Sequence, residues 1–106
     1  MPPLAARRCK PSVTKLDGAE ASALLGELPG WTIEGDKLVK TYGFANYHET
    51  MAFVNALAWI AHREDHHPDL AVSYNRCRVE WNTHSVGGLS ENDFICAARV
   101  EALLGA

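Results

Sequence analysis

The sequence lacks the cysteine pattern of a disulfide-stabilised or metal-binding scaffold. Its three cysteines, Cys9, Cys77 and Cys96, are odd in number, widely spaced and include no Cys-x-x-Cys pair. Reduced thiols in a cytoplasmic protein are therefore the expectation. No apolar run approaches the roughly 20 residues of a membrane-spanning helix. The early basic residues are not followed by the apolar segment of a secretory signal, so we expect no membrane partner.

An excess of positive charge is also missing. Ten Lys and Arg against 13 Asp and Glu give a formal net charge of −3. This balance argues against a general nucleic-acid binder, which normally presents a basic face. The 106 residues, 47% of them hydrophobic, are enough for one domain with a real core. A domain of this size still buries a limited fraction of its surface, so partner subunits would help to stabilise it.

The first 15 residues differ in composition from the rest of the chain. They hold three of the five prolines and four basic residues, and they show no apolar periodicity. These features are typical of a mobile terminus. We therefore predict a mobile tail over residues 1–15 and one domain over residues 16–106.

Helix-start signals recur three times, and strand-like segments lie between them. Pairs with capping-box spacing predict helix starts at Asp17/Glu20, Asn46/Glu49 and Ser90/Asp93. Strands are predicted over residues 31–34, 37–44, 70–74 and 77–84, with Gly35-Asp36 as a type II′ turn between the first two. The order α-β-β-α-β-β-α is that of an α+β protein with an antiparallel sheet.

The second predicted hairpin brings distant histidines together. A two-residue turn at Asn75-Arg76 would place Val72 opposite Val79 on an apolar face. Extended to the strand ends, the same register would place His67 opposite His84, with Cβ atoms roughly 5 Å apart. The prediction depends on the length of the turn.

His66, at the predicted helix end, would complete a cluster of three imidazoles. Imidazole titrates near neutral pH, so such a cluster could supply an acid and a base to one reaction. The alternative is that these histidines are ordinary polar residues at element ends. A metal site is a second alternative, because His62 and His66 share one helical face. The order HREDH, however, does not match the HExxH motif of metalloproteases.

The histidines belong to a longer pattern that resembles a known family. The residues HREDHHPDLAVSYNRCRVEWNTHSVGGLSENDF contain His62-x3-His66-His67-Pro68, followed by Tyr74, His84 and Asp93 at fixed spacings. This is similar to the signature of pterin-4a-carbinolamine dehydratases. Further similarity lies in Pro-Gly-Trp at 29–31 and in GGLSENDF at 87–94, and it spans roughly residues 15–104.

The resemblance implies a fold, a reaction and an assembly. The fold would be α+β, with a four-stranded antiparallel sheet and three helices on one face. The reaction would remove water from 4a-hydroxytetrahydropterin to give quinonoid dihydropterin, which recycles the pterin used by aromatic amino-acid hydroxylases. No metal or organic cofactor is implied. The partners would be the pterin and other copies of the chain, in a homodimer or homotetramer.

The resemblance also assigns roles to the histidines. His66 and His84 would be the general acid and base, and His67 would hold the pterin with some share in proton transfer. Asp93 and His62 belong to the same pattern and are candidates for substrate binding. The resemblance also implies that Asp93 could orient a histidine, whereas its local sequence indicates the N3 residue of a helix cap at Ser90, and it could do both.

Two positions depart from the family pattern. His62 stands where Glu is common, so a carboxylate that could polarise a neighbouring histidine is absent. Leu70 stands where Trp is common, which changes the packing near the predicted pocket. A non-catalytic binding or assembly module on the same fold is the alternative function, since a relative in animals also serves as a dimerisation partner of a transcription factor.

Overall fold

The fold is a four-stranded antiparallel sheet covered on one face by helices. A computed structural model describes residues 2–104. The helices are α1 (Gly18–Leu25), α2 (Tyr47–Glu64) and α3 (Glu91–Leu103). The strands are β1 (Thr32–Glu34), β2 (Lys37–Gly43), β3 (Asp69–Val72) and β4 (Arg76–Trp81), arranged in the order β1-β2-β4-β3. The element order and the fold class predicted from the sequence are confirmed.

The side chains of strand β4 alternate between the core and the open face of the sheet. Its alternate residues Cys77, Val79 and Trp81 are fully buried against the helices. Arg78 and Glu80 point to the other face, since successive side chains of a strand alternate. There Arg78 Nε donates to Glu80 of the same strand at 2.7 Å, and Arg78 Nη2 donates to Glu34 of β1 at 2.9 Å. The alternation predicted for this strand is confirmed.

The first hairpin has the register that its turn residues predict. Ile33 pairs with Leu38 and Glu34 pairs with Lys37. Gly35 has φ of +63°, which suits the first central position of a type II′ turn. A side chain at Gly35 would meet no neighbour, so backbone conformation is what favours glycine there.

The turn of the second hairpin lies one residue earlier than predicted. Ser73 N–H donates to Arg76 O at 2.9 Å, so Tyr74 and Asn75 form the turn. Contacts from elsewhere in the fold hold this position, because Thr50 Oγ1 donates to the Tyr74 carbonyl at 3.0 Å. The predicted turn at Asn75-Arg76 is wrong because local residue preferences do not include such contacts.

The displaced turn shifts the pairing of β3 with β4 by two residues. Val72 faces Cys77, and not Val79 as predicted. A shift of two leaves every side chain on its predicted face, whereas a shift of one would reverse the faces. The pairing of β3 with β4 ends at Asp69 and Glu80, so the predicted cross-strand pair of His67 and His84 does not form.

The N-terminal segment lies against the domain. Leu4 is buried at 3% exposure in the core. Glu91 on α3 accepts from Arg7 at 2.9 Å and from Lys10 at 2.7 Å. We call residues 4–13 the strap. This docked position differs from the mobile tail expected for residues 1–15; residues 1, 105 and 106 of the predicted ranges lie outside the described part of the chain.

No helix within residues 2–104 is long and apolar enough to cross a bilayer.

Glu101 on α3 connects the final helix to the first hairpin. Its Oε1 accepts from Trp31 Nε1 and Tyr42 Oη, both at 2.8 Å, and from Lys40 Nζ. Partial burial opposes ionisation of Glu101, but these donors outweigh it and hold the pKa of its carboxyl below the ordinary range. Burial and the hydrogen bond to Glu101 raise the pKa of Tyr42, so the phenol remains a donor.

We expect Glu101→Gln to lower the free energy of unfolding by about 1–2 kcal/mol at pH 7, because hydrogen bonds to an ionised group are lost. The lowered pKa means that Glu101 stabilises the fold above the ordinary carboxyl pKa of about 4.3. This contribution disappears as the pH falls through the folded-state value. Urea denaturation of both proteins at several pH values measures the difference, which should narrow in acid. Glu27→Gln, at an exposed position, is the control, and an equal effect there would contradict the assignment.

Candidate active site

The end of helix α2 directs His66 toward the start of α3. Asp65 follows the helix in the left-handed conformation, with φ of 52° and ψ of 44°. Its N–H caps the carbonyls of Ala61 and His62. Asp tolerates this region better than most residues. The chain therefore turns sharply at Asp65, and His66 leaves the helix axis with its own N–H bonded to Ala61 O at 3.1 Å.

His66 is held by a buried carboxylate. Its Nε2 lies 2.6 Å from Oδ1 of Asp93, which is fully buried in the first turn of α3. The His66 side chain is only 13% exposed. An ionised carboxylate can only accept hydrogen bonds, so Nε2 carries the proton. A neutral His66 then has Nδ1 free to accept a proton.

Two further donors fix the other oxygen of Asp93. Oδ2 accepts from Ser90 N at 2.9 Å and from Thr83 Oγ1 at 2.8 Å. Since a hydroxyl has one proton, Thr83 must accept from Ser90 Oγ, which lies 2.7 Å away. The hydrogen bonds therefore run in one direction, from Ser90 through Thr83 to Asp93.

Asp93 caps helix α3, as its sequence position suggests, and it also contacts His66. It caps α3 through the Ser90 N–H, and it orients His66 through the opposite oxygen. Burying a carboxylate is costly unless its hydrogen bonds are satisfied. Here three donors and the partial positive charge of a helix N-terminus offset that cost.

Trp81 forms the wall behind His66. The two rings stack with centroids 5.5 Å apart and an interplanar angle of 18°. Trp81 is fully buried, so it cannot move away without disrupting the core. The imidazole is thus fixed in its plane by Trp81 and in its rotation by Asp93.

The predicted histidines do meet, by a route other than strand pairing. His66, His67 and His84 line one cavity of about 270 Å³ with Thr83 and Ser85. His84 begins a short 3₁₀ turn after β4, closed by the bridge between Thr83 and Gly88. His67 and His84 are exposed, in contrast to the enclosed His66. The cavity therefore combines one fixed imidazole with two in contact with solvent.

His62 lies apart from this cavity. It faces solvent on α2 and approaches Trp59, with ring centroids 5.7 Å apart. The structure therefore does not bring His62 to the other three histidines. Over residues 2–104, no three His, Cys, Asp or Glu side chains converge in a group suited to a metal ion.

A second cavity shares the His66 wall. Its volume is about 390 Å³, and it extends from His66 and Thr83 to Cys9, Lys10 and Val13 of the strap. The N-terminal segment is therefore part of the surroundings of the site, which the sequence does not indicate.

Three contributors to the site were missed by sequence reasoning: Thr83, Trp81 and Asp65. Thr83 offered a signal, because it is a polar residue on the inward face of the strand predicted over residues 77–84 and needs a partner there. The left-handed Asp65 could have been suspected from the required helix stop before Pro68. The stacking of Trp81 on His66 depends on the tertiary fold alone.

The fold and site define an α+β protein with a histidine-lined cavity suited to acid–base chemistry. A family model described as pterin 4 alpha carbinolamine dehydratase matches residues 14–103. A relative from Chromobacterium violaceum is 69% identical over 80 residues, covering 76% of this chain and 74% of its own. One from Nitrosomonas eutropha is 56% identical over 105 residues, covering 95% and 93%. Both are named, provisionally, pterin-4-alpha-carbinolamine dehydratase. The chain belongs to the pterin-4a-carbinolamine dehydratase family.

Solved structures support the same family assignment. A transcriptional coactivator/pterin dehydratase from Brucella melitensis superposes with a TM-score of 0.83 at 30% identity, over 87% of this chain and all of its own. A pterin dehydratase-like protein identified as a RuBisCO assembly factor in the alpha-carboxysome gives a TM-score of 0.59 at 27% identity. It covers 72% of this chain and 88% of its own. The fold is therefore shared by proteins with different roles.

We expect Asp93→Asn to reverse the tautomer of His66. The amide oxygen must remain on the side of the Ser90 N–H and the Thr83 hydroxyl, which leaves its NH₂ facing Nε2. A donor there forces Nε2 to become an acceptor, so the proton moves to Nδ1. Imidazole ¹⁵N shifts, measured at a pH where His66 is neutral, report the tautomer.

Variants at Thr83 distinguish the effect of its hydrogen bond to Asp93 from the effect of its side-chain packing. Thr83→Ser keeps the donor to Asp93 and should keep the Nε2–H tautomer. Thr83→Val removes the donor at nearly constant volume, and should cost about 1–3 kcal/mol of stability because Asp93 loses a partner while buried.

An Nε2–H tautomer that persists in Asp93→Asn would contradict the proposed arrangement.

Proposed function

We propose that this chain removes water from 4a-hydroxytetrahydropterin to give quinonoid dihydropterin, by histidine acid–base catalysis. The observation that carries the proposal is the His66–Asp93 contact at the edge of a cavity that also holds His67 and His84. Membership of the family supports the substrate and the reaction. We further propose that no metal or organic cofactor takes part.

The proposed chemistry requires two balanced proton transfers. The C4a–O bond breaks, and the hydroxyl leaves as water after it accepts a proton from a general acid. N5 gives up one proton to a general base, so the reaction consumes no net proton. A pair of imidazoles in opposite protonation states can supply both steps, because each titrates near neutral pH.

His66 is the better candidate for the base. Asp93 orients it with Nδ1 as the unprotonated nitrogen, and Trp81 prevents the ring from rotating away. Preorganisation of this kind lowers the cost of reaching a reactive geometry. Asp93 is fully buried, so we infer that it positions His66 and does not contact the pterin.

His84 is then the candidate acid, and His67 the candidate pterin-binding residue. Both are exposed on the rim of the cavity, where they can exchange protons with solvent between turnovers. The three imidazoles line one cavity, so all three can reach the same bound pterin. His62, which lies outside that cavity, is not assigned a step.

A non-catalytic assembly role is the second candidate. It is favoured by the structural similarity to the RuBisCO assembly factor. The intact His66–Asp93–Thr83 connection argues for an enzyme, because a pure scaffold has no need for an oriented imidazole. Catalysis by the purified chain is therefore the measurement that separates the two.

We also propose that the chain forms a homodimer or homotetramer. Helix α2 exposes Trp59 at 62% and Tyr47 at 52% of their surfaces. Large exposed aromatic residues on one helix are typical of an interface. Light scattering coupled to size exclusion, with Trp59→Lys as the disrupting variant, measures the assembly.

We expect the wild type to accelerate dehydration of chemically generated 4a-hydroxytetrahydropterin in the presence of EDTA. His66→Ala and His84→Ala should each lower kcat by about 10²–10⁴, the usual contribution of a general acid or base. His67→Ala should mainly raise KM. Stopped-flow absorbance under single-turnover and steady-state conditions distinguishes these effects.

His48→Ala is the matched control, since His48 is an exposed histidine in the first turn of α2, outside the lining of the cavity. It should keep wild-type kinetics. No acceleration by a folded wild type would overturn the enzyme proposal in favour of the assembly role. Activity that disappears with EDTA would overturn the metal-free mechanism.

A further inference from the structure

Two cysteines meet where the strap crosses helix α3. Cys9 Sγ lies 3.4 Å from Cys96 Sγ, although 87 residues separate them in the sequence. A disulfide bond is about 2.05 Å long, so a small movement of the sulfurs would close it. Cys96 is fully buried on α3, and Cys9 is half-buried on the strap.

Hydrogen bonds of the Cys9 and Lys10 main chain hold the strap against the domain at this point. Cys9 N–H donates to Glu64 Oε1 at 2.8 Å. Lys10 and Asn92 exchange two hydrogen bonds: Lys10 N–H to Oδ1 at 3.0 Å, and Asn92 Nδ2 to the Lys10 carbonyl at 2.9 Å. The juxtaposition therefore rests on three hydrogen bonds between the main chain of Cys9 and Lys10 and the buried side chains of Glu64 and Asn92, in addition to the sulfur contact.

The two thiols differ in a way that sets the order of reaction. The hydrogen bond with Cys9 and burial raise the pKa of Cys96, so this thiol is a poor initial nucleophile. Cys9 can be reached from solvent through the cavity it lines with Lys10 and Val13. Attack on an external oxidant thus begins at Cys9, and Cys96 acts second.

We propose that Cys9 and Cys96 are an oxidisable pair, and that a small-molecule disulfide such as oxidised glutathione joins them and fastens the strap to helix α3. The Cys9 thiolate attacks one sulfur of glutathione disulfide and releases one glutathione thiolate. Cys96 gives its proton to the glutathione thiolate released in the first step, attacks the Sγ of Cys9 and releases the second glutathione thiolate, which is protonated by water. The protein is oxidised by two electrons, and one glutathione disulfide becomes two glutathione thiols. The proposal does not rest on the dehydratase activity.

Oxidation should change the strap without changing the core. The new bond closes a long loop, which restricts the unfolded chain. We expect the melting temperature of the oxidised protein to rise by about 5 °C or more. Trypsin cleavage after Arg8, whose side chain is 60% exposed, should slow on the order of tenfold, because local opening of the strap is suppressed.

The test uses the full chain, equilibrated with oxidised and reduced glutathione, quenched in acid and digested without reduction. Three cysteines allow three pairings, so mass spectrometry of the linked peptides identifies which pair forms. We expect the Cys9–Cys96 peptide pair alone, reversed by dithiothreitol. Cys9→Ser should show no internal bond, no rise in melting temperature and unchanged cleavage. Protein oxidised in urea is a further control, and should give mixed pairings.

Two outcomes would overturn the proposal. One is a folded wild type in which Cys9 carries glutathione and Cys96 stays reduced at saturating oxidant. The other is a dominant pair that includes Cys77, which is buried in the sheet and can be reached only by unfolding. Both are read from the same digest, so a loss or retention of dehydratase activity does not affect the conclusion.

Discussion

Asp93 is a buried carboxylate whose hydrogen bonds join three separate parts of the chain. It connects the end of helix α2 through His66, the end of strand β4 through Thr83, and the start of helix α3 through Ser90. An unpaired carboxylate in this position would cost several kcal/mol. The fold and the candidate site are therefore stabilised by the same contacts, and neither can be altered at this point without the other.

Helix α3 also makes polar contacts with other segments of the chain at its start and near its end. At its start, Glu91 and Asn92 bind the strap; near its end, Glu101 binds Trp31 and Tyr42 of the first hairpin. The apolar residues between them occupy the centre of the core. Polar contacts at both ends thus fix the helix along its axis, while hydrophobic packing fixes its distance from the sheet. The position of Asp93, and with it the orientation of His66, follows from both.

The sequence predicted well where a structure depends on neighbours along the chain. The Gly35-Asp36 turn, the alternation of β4 and the start of α3 at Ser90 all follow from local chemistry. Tyr74 in a turn and Cys9 beside Cys96 could not be predicted, because the contacts that hold them come from residues at least 24 positions away. Within the site, the sequence pattern predicts the cluster of His66, His67 and His84. The strand register that the sequence predicts for this cluster, however, does not occur in the fold. Orientation by Thr83 and Trp81 required the tertiary structure.

The ring of His66 is held in place, whereas His67 and His84 are exposed, and this difference affects the free energy of ligand binding. Folding has already removed the rotational freedom of His66, since Asp93 and Trp81 hold its ring. His67 and His84 are exposed and keep theirs, so a ligand that engages them must order two side chains at the moment of binding. Part of the contact energy in this cavity is thus offset by conformational entropy, on the order of 0.5–1.5 kcal/mol for each side chain immobilised. A ligand that contacts only His66 avoids this entropic cost. The free energy of binding in this cavity therefore depends on whether a ligand also extends to His67 and His84.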